Sequence, residues 1–196
     1  MIISASRRTD IPSTHCEWFL EKLKDKYVLV QNPFNKNKFY KVDLSKENVD
    51  IIVFWSKNPN IDFLEEVRNM GYKFYIHFTI TAYDKNIEKN IPNKELLIKK
   101  FINISDRFKK DKIVWRYDPI ILNKEFNSNY HIKNFSYISN ALKNYTDECI
   151  FSFVQIYSKI KNVFKDINND IEERKNLIND LKEIASKNNI ILKNCS

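Results

Sequence analysis

The chain has 196 residues, of which 43% are hydrophobic and 14% aromatic, so residues 1–196 are expected to form a single folded domain with a substantial core. This composition excludes intrinsic disorder, and no apolar run approaches the ~20 residues that span a bilayer. The net charge of +8 favours an anionic partner. The first residues lack a signal-peptide pattern, and the three scattered cysteines fit neither a disulfide framework nor a metal site. A cytoplasmic location is therefore expected.

The first half of the chain predicts strands, helices and one hairpin. Residues 1–6 predict a buried strand, and Thr14-x-x-Glu17 has capping-box spacing for the helix that follows. Two β-rich segments flank an Asn-rich connection between residues 27 and 42, which predicts a β-hairpin excursion or a loosely paired ribbon after that helix. The apolar run 50–55 is typical of a strand buried on both faces. Gly71 follows a predicted helix, where a left-handed C-cap is expected.

The second half continues the alternation of strand and helix. Its predicted strands cover 73–80, 112–115, 148–154 and 190–192, and its predicted helices cover 97–108, 132–142 and 171–187. The basic segment 157–169 predicts a short helix or an ordered loop. The whole pattern favours an α/β fold, a partial TIM-barrel-like β/α barrel of about six parallel strands, with an open doubly wound sheet as the alternative. The first strand lacks a Gly-rich loop, which excludes a dinucleotide fingerprint and a P-loop.

Polar side chains cluster where the predicted strands end. The candidate ligand-binding residues are Arg7, Arg8, Asp10, Lys57, Asn58, His77, Thr79, Arg116, Asp118 and Gln155. Ser152 belongs to the same predicted strand end as Gln155. Because parallel strands end on one face of a β/α fold, we expect these side chains to form one pocket. Guanidinium groups bind phosphate or carboxylate bidentately, which predicts a small anionic ligand or a nucleotide. Asp10 and Asp118 could hold the arginines in internal ion pairs, or hydrogen-bond a ribose or hydroxyl group of the ligand.

The remaining aromatic and ionisable residues indicate less about function. Trp55 and Trp115 are expected in the core or the pocket wall, and His15 and His131 at the surface near helix starts. His77 could face outward, lie inside as a satisfied histidine, or touch the ligand. No catalytic triad, carboxylate pair or metal-ligand spacing is present, so no catalytic residue is assigned and no metal site is predicted.

Four strings carry a family resemblance: ISASRRTDIP (3–12), NPFN (32–35), VFWSKNP (53–59) and VWRYDPI (114–120). They resemble the bacterial family catalogued as domain of unknown function 1848, over essentially the whole chain. The resemblance implies a partial β/α barrel. It also implies a longer form whose cysteine-rich tail resembles the iron–sulfur motif of radical S-adenosylmethionine enzymes such as spore photoproduct lyase. Since this chain ends near Cys195, a truncated form without the cluster is expected, and the iron–sulfur cluster and S-adenosylmethionine are expected only for full-length members.

Three hypotheses of function remain. The first is an enzyme scaffold with an anion-binding pocket. The second is a nucleic-acid-binding protein that uses lysines and aromatics of segments 32–40 and 159–165, with salt-sensitive binding. The third is an inactive truncated scaffold with an unpaired strand edge near 190–192. The sequence leaves open whether the chain is an enzyme. It assigns no substrate, no reaction and no oligomeric state.

Overall fold

The computed structural model describes residues 1–6, 8–155 and 166–195, so the predicted roles of Arg7 and segment 159–165 lie outside the described residues. The described strands and α-helices, in chain order, are β1 (Ile2–Ser4), α1 (Ile11–Thr14), α2 (Cys16–Asp25), β2 (Tyr27–Gln31), β3 (Phe39–Asp43), β4 (Ile51–Ser56), α3 (Ile61–Asn69), β5 (Phe74–Thr79), α4 (Lys94–Phe108), β6 (Ile113–Ile120), α5 (Ser128–Leu142), β7 (Glu148–Phe153), α6 (Ile171–Lys187) and β8 (Ile191–Asn194), with a 3₁₀-helix (Lys110–Lys112) between α4 and β6.

Six of the strands form one sheet in the order β1-β4-β5-β6-β7-β8. The pairs β1–β4, β6–β7 and β7–β8 run parallel, which confirms the predicted α/β class with a parallel sheet. The described strands leave this sheet open, with β1 and β8 at its two ends, so closure into a barrel is not shown. Strands β2 and β3 pair antiparallel in a separate sheet, which confirms the predicted hairpin.

The chain divides into two compact units, Met1–His77 and Phe78–Ser196. In the first unit, aromatic side chains from α2 and α3 cover one face of β4. The ring of Phe54 lies 5.6 Å from that of Phe19 and 5.5 Å from that of Phe63, both nearly edge-on, an arrangement that aromatic pairs prefer. Burial alternates along β4, so this strand is fully buried on one face only, and the expectation of two buried faces is wrong.

The connection from β1 to α2 also differs from its prediction. Helix α1 ends at Thr14, whose hydroxyl donates to the backbone oxygen of Asp10 at 2.8 Å. Helix α2 then begins after His15, which has no side-chain capping bond, so the predicted capping box is wrong. Gly71 has a φ of +85°, which confirms the left-handed backbone expected after α3.

The second unit builds its core from helices α4, α5 and α6 against the sheet. Trp115 is wholly buried, stacks on Phe135 at 4.8 Å and donates its indole N–H to the backbone oxygen of Ile80. The side chains of Asn93, Asn127 and Asp170 cap the three helices by accepting backbone N–H bonds. His131 is also wholly buried, so the expectation of a surface histidine is wrong.

Candidate functional site

In the first unit, Asp10 links the segment after β1 to the end of β4. Its Oδ2 atom accepts the backbone N–H of Lys57 at 2.9 Å, and the backbone N–H of Asn58 donates to Ser56 Oγ at 3.1 Å. Asp10 Oδ1 and Ser6 Oγ are buried and have no hydrogen-bond partner among the described residues. The structure thus brings together Asp10, Lys57 and Asn58, three of the predicted site residues.

Arg8 lies outside this cluster. Its side chain is exposed, and Nη1 donates to the backbone oxygen of Gln31, at the end of β2, at 3.2 Å. The carboxylate of Asp10 is bonded to a backbone amide instead of to this arginine. Arg8 is therefore associated with the β2–β3 hairpin.

His77 stacks on Trp55 within the same unit. Their rings are nearly parallel, at 12°, with centroids 5.1 Å apart, and the ring of Tyr75 meets His77 edge-on at 5.3 Å. All three side chains are half-buried and alternate along β4 and β5 with fully buried neighbours. They therefore lie on the less buried side of these two strands.

In the second unit, Arg116, Asp118 and Ser152 form a connected polar cluster. Arg116 Nη2 lies 2.5 Å from Asp118 Oδ2, and Arg116 Nε donates to the same oxygen at 3.2 Å. The hydroxyl of Ser152 donates to the other carboxylate oxygen, Oδ1. Arg116 is only 8% exposed, so its positive charge depends on this carboxylate for compensation.

The position of Asp118 follows from the strand geometry. Residues 116 and 118 lie two positions apart in β6, so their side chains emerge on the same face. The register of β6 against β7 shifts between Tyr117 and Ile120, an irregularity of the β-bulge kind. Asp118, which accepts a hydrogen bond from Ser152, therefore lies where the regular pairing of the two strands is interrupted.

Cys195 completes the cluster. Arg116 Nη2 donates to its Sγ atom at 3.3 Å, and the backbone N–H of Cys195 donates to the oxygen of Phe151 at 2.8 Å. Burial alone would lower the pKa of Arg116, but the bonds to Asp118 and Cys195 outweigh it, so the pKa is raised. The guanidinium therefore stays charged.

The contact to Cys195 is the part that sequence reasoning missed. Cys195 is not among the predicted site residues, yet it directly follows β8. Applying the strand-end rule to the last predicted strand, as well as to the first five, identifies it.

Two further predicted residues belong to this unit. Thr79 ends β5 and is half-buried, and Gln155 follows β7 and is exposed. The structure brings Arg116 together with Asp118 and, in the other unit, Asp10 with Lys57 and Asn58. A single pocket for all ten residues stays a prediction.

The three cysteines are free thiols in different environments. Cys149 is wholly buried, and this burial raises the pKa of its thiol well above the ordinary value. Burial also raises the pKa of the Cys16 thiol, which donates to the backbone oxygen of Pro12 at 3.3 Å. Among the described residues, no three His, Cys, Asp or Glu side chains group to hold a metal ion.

The similarity of the chain to known proteins comes from a family model. No helix in the described ranges is both long and apolar enough to cross a membrane. A search of curated proteins finds no match. A family model matches residues 2–196, nearly the full length of the chain, and the chain therefore belongs to the family described as Domain of unknown function (DUF1848).

Proposed function

We propose that the chain binds a small anionic ligand, bearing a phosphate or carboxylate group, near the ends of strands β6 and β7. The observation that carries this proposal is the buried guanidinium of Arg116. Its Nε and Nη2 atoms are bonded to Asp118 and Cys195, whereas Nη1 makes no hydrogen bond to any described residue. An arginine fixed in this way can offer its remaining N–H groups with little further loss of side-chain entropy.

The expected attraction is directional and short-ranged. Arg116 and Asp118 together carry no net charge, so they would draw distant anions only weakly. At hydrogen-bond distance, however, the N–H groups of a buried guanidinium act in a lower dielectric than water and bind an anionic oxygen more strongly. Ser152 restrains Asp118 and thereby keeps the guanidinium in place. Nucleotides belong to this ligand class.

The strand order supports a barrel-type fold for this proposal. In the six-stranded sheet, each new strand lies beside the one before it, as in a β/α barrel. A doubly wound sheet reverses its order at a switch point instead. In barrel-type folds ligands bind at the carboxyl ends of the strands, and Asp118 and Ser152 both lie near those ends.

The rival explanation is an ion pair with a purely structural role. It accounts for the contact between Arg116 and Asp118, and it predicts that substitutions there change stability but no ligand response. S-adenosylmethionine is a useful probe because the family resemblance implies it for longer members and because its amino-acid end carries a carboxylate.

Thermal melting of the full chain with inorganic phosphate, ATP and S-adenosylmethionine tests the proposal. We expect at least one of the three to raise the melting temperature in a saturable way. Arg116→Lys should weaken that response at least about tenfold in apparent Kd, because an ammonium cannot replace the planar fork. Lys193→Met is the matched control, since this side chain of the same unit is 49% exposed, and it should respond like the wild type.

The proposal is wrong if none of the three compounds raises the melting temperature. It is equally wrong if Arg116→Lys and Lys193→Met respond alike. Should Arg116→Lys fail to fold, Ser152→Ala takes its place: loss of one hydrogen bond to Asp118 should weaken the response about threefold, and an unchanged response contradicts the proposal.

A further inference from the structure

The β2–β3 hairpin combines exposed aromatic rings with positive charge. Residues 26–43 contain four lysines, four aromatic residues and a single acidic residue, Asp43. Phe34 is 97% exposed, Phe39 55%, Tyr40 46% and Tyr27 41%. Exposed apolar surface that is contiguous and bordered by charge is typical of an interaction site.

The tip of the hairpin is ordered by its own hydrogen bonds. Asn32 Oδ1 accepts the backbone N–H of Phe34 at 2.8 Å, and the backbone N–H of Asn32 donates to the oxygen of Lys38 at 2.8 Å. Gln31 Nε2 donates to the backbone oxygen of Lys36, also at 2.8 Å. A fixed turn therefore presents the ring of Phe34, so a partner that contacts it orders little additional chain.

One face of the ribbon carries both rings and cations. The register places Leu29 opposite Lys41 and Gln31 opposite Phe39, and Tyr27 lies on the same face. The ammonium of Lys41 lies 4.4 Å from the centroid of the Tyr27 ring, within cation–π range. We call this face, formed by residues 27, 29, 31, 39, 41 and 43, the outer face of the hairpin.

The charges around the outer face are predominantly positive. Arg8 bonds to the backbone oxygen of Gln31 and adds a guanidinium at the edge of the ribbon. Asp43 is the one acidic residue of the two strands, and its carboxylate is engaged by the backbone N–H of Ser45 and by Asn48 Nδ2. The hairpin therefore offers cations and ring faces to a partner that carries anions and flat apolar groups.

We infer that the hairpin binds single-stranded nucleic acid, with bases stacked on the exposed rings and phosphates on the lysines. Every base has a π-face, so stacking on aromatic side chains tolerates any sequence, and lysines neutralise phosphates. The rings are spread along the ribbon from Tyr27 at its base to Phe34 at its tip. A strand of five residues extends about 14 Å between its first and last Cα atoms, room for two or three stacked nucleotides. This site is independent of the one proposed at Arg116.

Two other partners fit the hairpin less well. Membrane insertion needs apolar side chains gathered at one end, but at the tip Phe34 follows Pro33 and is surrounded in sequence by Asn and Lys residues. A two-stranded ribbon can enter the major groove of a duplex, but paired bases keep their faces stacked inside the helix and cannot stack on exposed rings. Rings along the whole ribbon therefore favour a single strand.

Fluorescence anisotropy with labelled oligothymidine and oligouridine tests the inference on the full chain. We expect binding that weakens about 50-fold between ~50 and ~200 mM salt, as for about four neutralised phosphates. Phe34→Ala should weaken binding about tenfold by removing one stacking ring. Tyr137→Ala is the matched control, because this ring on α5 is 51% exposed and lies outside the hairpin.

A second pair of variants separates charge at the hairpin from charge elsewhere. The double substitution of Lys36 and Lys38 by Gln should reduce the salt dependence, whereas substitution of the helical Lys175 and Lys187 by Gln should leave it unchanged. The inference is wrong if no oligonucleotide binds at low salt, or if Phe34→Ala and Tyr137→Ala bind equally. Tighter binding to a duplex, or to vesicles of anionic phospholipid, also overturns it.

Discussion

His131 Nδ1 lies 2.9 Å from the hydroxyl of Tyr117, and both side chains are buried. The other ring nitrogen, Nε2, lies 2.9 Å from the backbone oxygen of Ile121. Because a carbonyl oxygen only accepts, Nε2 carries the proton and Nδ1 accepts from Tyr117. Burial raises the pKa of Tyr117 well above its ordinary value, so this hydroxyl keeps the proton that it donates. The second unit therefore holds His131 as a neutral imidazole.

This arrangement predicts a loss of stability on mild acidification. Burial lowers the pKa of His131 below its ordinary value of 6.5, so the unfolded chain binds the proton more readily than the folded one. The free energy of unfolding should thus be highest above pH 6.5 and fall as the pH drops through and below that value. Urea denaturation between about pH 7 and pH 5 measures the fall.

His131→Gln isolates the contribution of this histidine. Glutamine can retain a donor and an acceptor but does not titrate, so the variant should lose less stability than the wild type over the same pH range. His15→Gln changes an exposed histidine and serves as the control. Equal pH profiles for the wild type and His131→Gln would show that the buried imidazole does not account for the effect.

The sequence contains a signal for the buried histidine. His131, Phe135, Ile138 and Leu142 repeat at helical spacing, and all four are buried on one side of α5. The expectation of a surface position came from its place at the start of the helix. A polar side chain within an apolar stripe is ambiguous from sequence alone, because its burial depends on partners such as Tyr117 that only the folded chain supplies.

The hairpin and the parallel sheet could be predicted because they depend on local patterns of turn residues and apolar runs. The polar contacts could be predicted only in part. Arg116 and Asp118 share a face because they lie two residues apart in one strand. The bond from Lys57 to Asp10 and the contact of Arg116 with Cys195 join distant segments. The sequence can place these residues at strand ends, but no spacing in it indicates which of them make contact.

Asp118 should be coupled energetically to Ser152. Asp118→Ala leaves the largely buried Arg116 without its carboxylate and should lower the free energy of unfolding by about 3 kcal/mol. Ser152→Ala removes one hydrogen bond to that carboxylate and should lower it by about 1.5 kcal/mol. In the Asp118→Ala background the second change should have almost no effect, which a double-mutant cycle by urea denaturation measures. Additive losses would contradict the cluster.

Tyr83 should matter more to stability than Tyr130, although both hydroxyls bond to backbone. The Tyr83 hydroxyl accepts the buried N–H of Ile121 at 2.7 Å and donates to the oxygen of Pro119 at 2.9 Å. Tyr83→Phe leaves that N–H unsatisfied, which should lower the free energy of unfolding by about 2 kcal/mol.

Tyr130→Phe is the matched control for that change. The Tyr130 hydroxyl donates to the oxygen of Ala82, which also accepts from the ammonium of Lys94 at 2.8 Å. The carbonyl therefore keeps a partner, and the loss should stay below about 1 kcal/mol. Thermal and urea unfolding show which of the two variants loses more free energy of unfolding. A larger loss for Tyr130→Phe would contradict the expectation that the bond from Lys94 is enough to satisfy the carbonyl of Ala82.

Lys109 should be a site where glycine stabilises the chain. It follows α4 with a φ of 77° and a ψ of 149°, a backbone conformation essentially restricted to glycine, and its side chain is exposed. Lys109→Gly should raise the free energy of unfolding by about 1 kcal/mol, since relief of the strain exceeds the extra entropy of the unfolded chain.

Lys26→Gly, at a φ of 62° and a ψ of 15°, should raise the free energy of unfolding by less, because the ordinary left-handed region is less strained. Gly71→Ala should lose about 1 kcal/mol for the converse reason, and urea denaturation that ranks the three variants in any other order would contradict the strain at Lys109.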